Sequence, residues 1–289
     1  MSIAPPPKPK APPPQGGTAA SQPTSRKLSN RVSQNVCPRL VVYAGEKFGK
    51  TTILAHAPDP VILMARGEQG YDTLLSAGMV PSVPAELVES WEETLAWLDS
   101  LIADPQGRKT VGLDAGGGFE RLCAEYICHK HYKDEWGSEG FQSYNKGEGL
   151  VAGEWLKLLQ RLDRLHDKHG IITVILGHAG VKAFNDPMGP TFDKYRCNMG
   201  DKVWASTAAW SDCILFGKFK TIVETSAQQA RKNISERKGK GVGGTQRVIF
   251  TSPCDAYVAG NRYAMPPEIS LDVEPAEMWN TIWQHIAPS

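Results

Sequence analysis

From Arg39 onward the chain alternates short apolar runs with longer amphipathic stretches, the pattern of strands joined by helical crossovers in a parallel sheet. The apolar runs near 39–44, 61–65, 110–114, 171–177, 212–217 and 246–251 predict strands. Between two of them, the stretch 151–168 places Trp155, Leu158, Leu159, Leu162 and Leu165 on one helical face, with Lys157, Arg161 and Arg164 elsewhere. It reads as a crossover helix feeding the strand at Ile171, and its Trp and Leu stripe reads as core packing. Residues 133–150 are polar, contain glycine and carry Trp136, Phe141 and Tyr144, which predicts a surface excursion. No internal repeat of 20–50 residues interrupts the alternation. The expectation is an α/β fold.

Residues 1–33 have a different texture. They are rich in Pro, Ser, Gln and Gly, carry Lys8, Lys10, Arg26, Lys27 and Arg31, and contain no acid. That composition predicts a disordered basic tail ahead of one domain over 34–289. The tail reads as a solubilising extension, or as a weak electrostatic tether for nucleic acid or an acidic partner.

Composition narrows the function classes. A hydrophobic share of 41% and a charged share of 22% are ordinary for a globular protein, and a net charge of +1 gives no global attraction to nucleic acid. Any such contact has to come from local patches. Six cysteines without a C-x-x-C pair indicate neither a disulfide framework nor a zinc ribbon. Cys123, Cys128, His129 and His131 crowd together, but their spacing matches no standard zinc pattern and the segment reads as helix. No apolar run approaches the roughly 20 residues of a membrane span, and the Pro-rich start has no signal-peptide core. The expected setting is cytoplasmic, with no membrane partner.

Residues 40–52 carry the chemistry. They read Leu-Val-Val-Tyr-Ala-Gly-Glu-Lys-Phe-Gly-Lys-Thr-Thr, an apolar strand, a tight loop and then Gly-Lys-Thr opening a helix. This is a Walker A segment in the strand and helix context it requires. Glycine lets backbone N–H groups approach phosphate oxygens, and the helix start favours negative charge. The expected nucleotide contacts are Ala44, Gly45, Glu46, Lys47, Phe48, Gly49, Lys50, Thr51 and Thr52. Lys50 reaches the β and γ phosphates, Thr51 offers a hydroxyl to magnesium, and Thr52 faces the interior. One departure is that Ala44 stands where the first glycine is usual, which alters the turn out of the strand.

A carboxylate at the end of another strand completes such a site. Thr110-Val-Gly-Leu-Asp114 supplies it, after the turn-forming Asp104-Pro-Gln-Gly107, and makes Asp114 the Walker B candidate, expected to hold a magnesium-bound water and so orient the metal, with a turn or cap residue as the plain alternative. Two further strand ends matter because open α/β sheets gather active sites at the carboxyl ends of their strands. Arg66-Gly-Glu68 follows one strand, and His178 follows the strand that ends at Gly177. Glu68 is a candidate general base for water, and His178 a candidate sensor of the γ-phosphate; a hydrogen-bonded core histidine is the plain alternative.

The order Gly49-Lys50-Thr51, Glu68, Asp114, His178 resembles RecA-like P-loop NTPases, a mostly parallel central sheet flanked by helices. The stretch from Gly177 to Tyr195, followed by a helical Lys202–Trp210 and a strand at Asp212, is similar to phage-encoded AAA-type nucleotide-binding proteins. That group includes RecA-like single-strand annealing recombinases, and the resemblance covers roughly residues 38–270. It implies ATP and Mg2+ as cofactors, a homo-oligomer, a single-strand-binding protein as a further partner, and the host cell cytoplasm as location. The segments Arg247-Val-Ile-Phe-Thr-Ser-Pro and Ala259-Gly-Asn-Arg262-Tyr-Ala-Met-Pro266 resemble the family's closing segment, where a Lys-x-Arg pair reaches the neighbouring subunit's nucleotide. Gly260 stands in place of the lysine, which leaves Arg262 as the finger candidate. Ala115 replaces the hydroxyl that often follows the Walker B acid. Both departures bear on hydrolysis more than on binding.

Positive charge is local. Residues 231–247 carry Arg231, Lys232, Arg237, Lys238, Lys240 and Arg247 against Glu236 alone, in a glycine-rich stretch suited to a mobile loop that tracks a single strand, or to a solvated hairpin tip. The stretch 181–201, with Lys182, Phe184, Lys194, Tyr195 and Arg196, is the competing DNA contact. Three functions follow: an ATP-dependent single-stranded-DNA-binding annealing or recombination protein, a nucleotide switch or assembly ATPase acting on protein partners, and a ring helicase-like motor.

Overall fold

The structure, a computed structural model, describes residues 37–187, 189–224 and 240–287, all within the unit Asn35–Ser289. The basic tail and most of the cationic stretch at 231–239 lie outside the described residues.

In chain order the elements are β1 (Arg39–Ala44), α1 (Lys50–Ala55), β2 (Pro60–Ala65), α2 (Gly70–Ser76), β3 (Ala85–Val88) and α3 (Trp91–Ala103). They continue as β4 (Thr110–Asp114), α4 (Gly116–Tyr132), α5 (Lys146–His169), β5 (Ile172–Phe184), β6 (Phe192–Cys197) and α6 (Asp201–Trp210). The chain closes with β7 (Cys213–Glu224), β8 (Lys240–Phe250), β9 (Gly260–Asn261), β10 (Glu268–Ser270) and α7 (Met278–Trp283).

The main sheet runs β10-β8-β7-β1-β5-β4-β2-β3. From β7 to β3 every neighbouring pair is parallel, and β8 and β10 add antiparallel at one side. β2 and β4 are buried along their whole length and β1 at all but Arg39, because a parallel sheet carries helices on both faces. Alternation within β1 divides the core. Val41 and Tyr43 join α3, α4, α5 and α6 on one face, while Leu40, Val42 and Ala44 join α1 and α7 on the other. The fold is therefore the α/β arrangement the sequence predicts, a mostly parallel central sheet flanked by helices.

The long helix α5 buries Trp155, Leu158, Leu159, Leu162 and Leu165 as its periodicity requires. Trp155 stacks on Trp91 of α3 with ring centroids 5.9 Å apart, and its indole N–H donates to the Thr207 hydroxyl over 2.9 Å. The helix ends at Gly170, whose φ of 66° lets the chain turn directly into β5.

Several strands go beyond their apolar runs. β5 continues from Gly177 to Phe184 and pairs antiparallel with β6, so 181–201 is a β-hairpin and the start of α6, not a loop. Burial falls steadily along β5, and residues 181–184 are exposed. Without a helix over them these residues need no apolar run, which is why pattern alone stops at 177. β3 is missed for the same reason, as two of its four residues are exposed. β8 reaches back to Lys240, so 240–247 is strand paired to β7, which agrees with the hairpin alternative and not with a mobile loop over these residues. The excursion at 133–150 is only partly superficial. Phe141 is buried against Tyr132 and Trp136, whereas Tyr144 is 92% exposed.

Candidate nucleotide-binding site

The candidate residues converge at the carboxyl ends of β1, β2, β4 and β5. β1 delivers Ala44 to the turn 45–49, and Gly49 caps α1 with φ 109°, a conformation open to glycine at little cost. Ala44 fits where a glycine is usual because its partner across the sheet is Gly217. A Cβ on Gly217 would lie 2.9 Å from that of Ala44, so the glycine on the neighbouring strand leaves room for the Ala44 methyl. Glu46 and Lys47 are exposed, while Phe48 is buried beneath the turn.

Lys50 opens α1, and its side chain folds back across the turn. Nζ donates to the carbonyls of Gly45 over 3.0 Å and Ala44 over 3.3 Å. Burial pushes its pKa below the usual lysine value, opposed by Asp114 and Glu68. Thr51 donates its hydroxyl to Asp114 Oδ2 over 2.6 Å. Burial drives the Asp114 carboxyl above its usual range, against the Thr51 hydrogen bond and the charge of Lys50. Thr52 is buried on the interior side, as expected. α1 lies so close to β4 that a Cβ on Gly112 would sit 2.2 Å from a Leu54 methyl. That contact brings Thr51 and Asp114 into reach.

Glu68 and His178 meet from β2 and β5, with Glu68 Oε1 3.6 Å from His178 Nε2, an ion-pair separation when the imidazole is protonated. His178 holds the Glu68 carboxyl below its usual range, helped by Lys50 and Arg121 and opposed by burial. The pair borders a cavity of about 260 Å³ lined also by Arg121, Asn198, Gly117 and Gly118. His178 is 44% exposed, so it is not a core histidine. Arg121 has no motif around it in the sequence; only its place on α4 brings it here.

Arg262 is not brought to this cluster. It follows β9, which pairs with the first residues of β7, and its Nη1 donates to Asp212 over 2.8 Å. Asp212 also holds Arg39 at the amino end of β1, so Arg262 sits at the opposite end of that strand from the turn. Arg247 does come to the turn. It lies on β8 and its Nε donates to the Phe48 carbonyl over 2.7 Å, a placement its sequence context among the cations of 231–247 does not suggest. Cys123 and Cys128 are buried in the α4 core, and His129 pairs with Asp134.

These residues fit a nucleotide with a magnesium ion. Thr51 and Asp114 present two hard oxygen donors side by side, as Mg2+ requires. Lys50 supplies a cation at the turn, and the space above the Gly45 Cα is open. The α/β sheet with this turn at the end of its central strand defines a P-loop nucleotide-binding protein. A family model described as AAA domain matches residues 37–263, and the chain belongs to that family. No curated protein matches the chain. Among the described residues no helix is long and apolar enough to cross a membrane.

Proposed function

We propose that this protein binds and hydrolyses ATP and couples the nucleotide to single-stranded DNA, as an annealing or recombination ATPase similar to the phage-encoded RecA-like kind. The turn 45–49, with Lys50, would hold the phosphates, and Thr51 with Asp114 would hold Mg2+, which supplies charge neutralisation at the polyphosphate. Glu68, ionised at neutral pH as a carboxylate whose pKa is not raised, would accept a proton from an attacking water at the mouth of the cavity. His178 sits against Glu68 and orients it.

One observation carries the DNA part. β5 runs without interruption from the core through His178 to Phe184, so the residue beside the base and the tip of the hairpin share one strand. The hairpin bears Lys182, Lys194 and Arg196. At its tip, Phe184 and Phe192 stand 5.3 Å apart with Lys194 over the Phe184 ring. Cations beside exposed aromatics suit a single strand, whose phosphates they neutralise and whose bases they stack. Lys182 and Arg196 both pair with Asp201 at the base of the hairpin, so the free positive charge lies toward Lys194.

Fluorescence anisotropy with labelled single strands, with and without ATP and over a salt series, tests the reading. Wild type binds in a salt-dependent manner, and replacing Lys182, Phe184 and Lys194 together by Ala weakens binding at least about tenfold. Unchanged binding would move the contact to Arg231, Lys232, Arg237, Lys238 and Lys240, or to the tail. Absence of any wild-type binding at low salt would leave the nucleotide switch acting on a protein partner as the better reading. For Arg262 to serve a neighbouring subunit, copies must pack head to tail, because it and the turn occupy opposite ends of β1.

A further inference from the structure

We infer that Arg247 is a positioning residue for the nucleotide: it orients the Phe48–Gly49 peptide so that the Gly49 N–H faces the bound phosphates. The inference rests on the nucleotide reading above and adds a residue from β8 to the site.

The Phe48 side chain is buried, and among the described residues its carbonyl receives its hydrogen bond from Arg247 Nε, 2.7 Å away. A trans peptide is planar and its C=O and N–H point in opposite directions. Anchoring the carbonyl on β8 therefore aims the Gly49 N–H toward the opposite side, across the turn that Lys50 closes. The bond is charge-assisted, and it polarises the peptide so that the N–H becomes a stronger donor to an anion.

The anchor itself is rigid. Arg247 is the register partner of Phe219 on β7, and its guanidinium lies 5.5 Å from the Phe219 ring centroid. Phe219 in turn packs edge-on against Phe48, with centroids 5.7 Å apart. The Arg247 carbonyl accepts from Leu271, so the backbone is held on both sides of the strand. On Gly49, a Cβ would meet Met278 Cε at 3.2 Å and Arg247 Nε at 3.9 Å, which fixes the glycine beneath these two side chains. A lysine at 247 keeps the charge but lacks the planar Nε–H that this geometry uses.

Phe-Gly occurs at 48–49 and 216–217 alone, so protein labelled with 13C at Phe carbonyls and 15N at Gly shows two amides in a carbonyl-filtered spectrum. Phe48→Leu removes one and assigns Gly49. In wild type, ATP moves the Gly49 amide proton downfield. Arg247→Lys abolishes that shift and weakens ATP and inorganic tripolyphosphate alike, by about ten- to a hundredfold. Intact ATP binding by wild type with an unmoved Gly49 amide overturns the inference alone, as does an Arg247→Lys protein with wild-type affinity and shift. Failure of wild type to bind ATP at all overturns the nucleotide reading and this inference together.

Discussion

The hydroxyl of Thr51 donates to the carboxylate of Asp114 across 2.6 Å, joining residues 63 positions apart in the chain. One stands on the first turn of α1 and the other on the last residue of β4, elements held close by Leu54 packing onto Gly112. The two oxygens proposed to hold Mg2+ are thus brought together by core packing.

Because burial lifts the Asp114 carboxyl above its usual range, the folded protein holds that charge at a cost once the group ionises. A raised carboxylate pKa contributes stability at low pH that is lost as pH rises through it. Asp114→Asn keeps the Thr51 hydrogen bond and removes the charge. Thermal melts without metal should therefore show the variant more stable than wild type at neutral pH, with the gap closing as pH falls. Nucleotide binding persists in the variant but loses its magnesium dependence, which a calorimetric titration with and without Mg2+ checks.

Lys50→Ala should largely abolish ATP binding, since it removes the point charge that would face the β and γ phosphates. The lowered pKa of Lys50 adds a pH signature. Only the protonated amine attracts phosphate, so wild-type affinity declines as pH rises, and does so before the ordinary lysine range is reached. Lys50→Arg shifts that decline to higher pH. Calorimetry over a pH series separates these outcomes, and equal affinity for Lys50→Ala and wild type would dismiss the site.

Glu68→Gln should preserve nucleotide affinity and slow hydrolysis at least about a hundredfold, because the amide keeps the shape but accepts no proton. Phosphate release under single-turnover conditions measures it. If the wild-type rate persists, the base lies elsewhere, and Glu46 in the turn is the next residue to replace.

Gly217→Ala tests the link between sheet packing and the turn. The added methyl would lie 2.6 Å from the Phe48 ring and 2.9 Å from Ala44 Cβ. Overpacking of this kind costs about 1–3 kcal/mol, and the strain falls on the residue beneath the phosphate turn. Both the melting temperature and ATP affinity should drop. Gly153→Ala on α5 is the control, since nothing lies within 4 Å of its Cβ position and helix propensity favours alanine. An equal loss in both variants would show that Gly217 has no special tie to the turn.

The sequence by itself determined the buried strands and the crossover helix, and it singled out Lys50, Thr51, Glu68, Asp114 and His178, which the structure brings to one end of the sheet. Glu68, Asp114 and His178 lie at or just past the end of an apolar run, Lys50 and Thr51 follow one across the turn 45–49, and a run buried on both faces leaves an unmistakable trace in composition. Local pattern also placed Thr52 on the inner side of α1. Tertiary structure alone decided what has no such trace. The β5–β6 hairpin is half exposed, so its residues follow no hydrophobic pattern. The fit of Ala44 against Gly217 depends on which strands are neighbours, and so does the arrival of Arg247 at Phe48 from a residue 199 positions away. Arg262 depends on sheet order too: strand direction carries it to the far end of β1 from its own chain's turn, a position that its motif, read for a neighbouring subunit, does not specify. Burial is written residue by residue, whereas contact between strand ends is set by sheet order, which the order of residues along the chain does not specify.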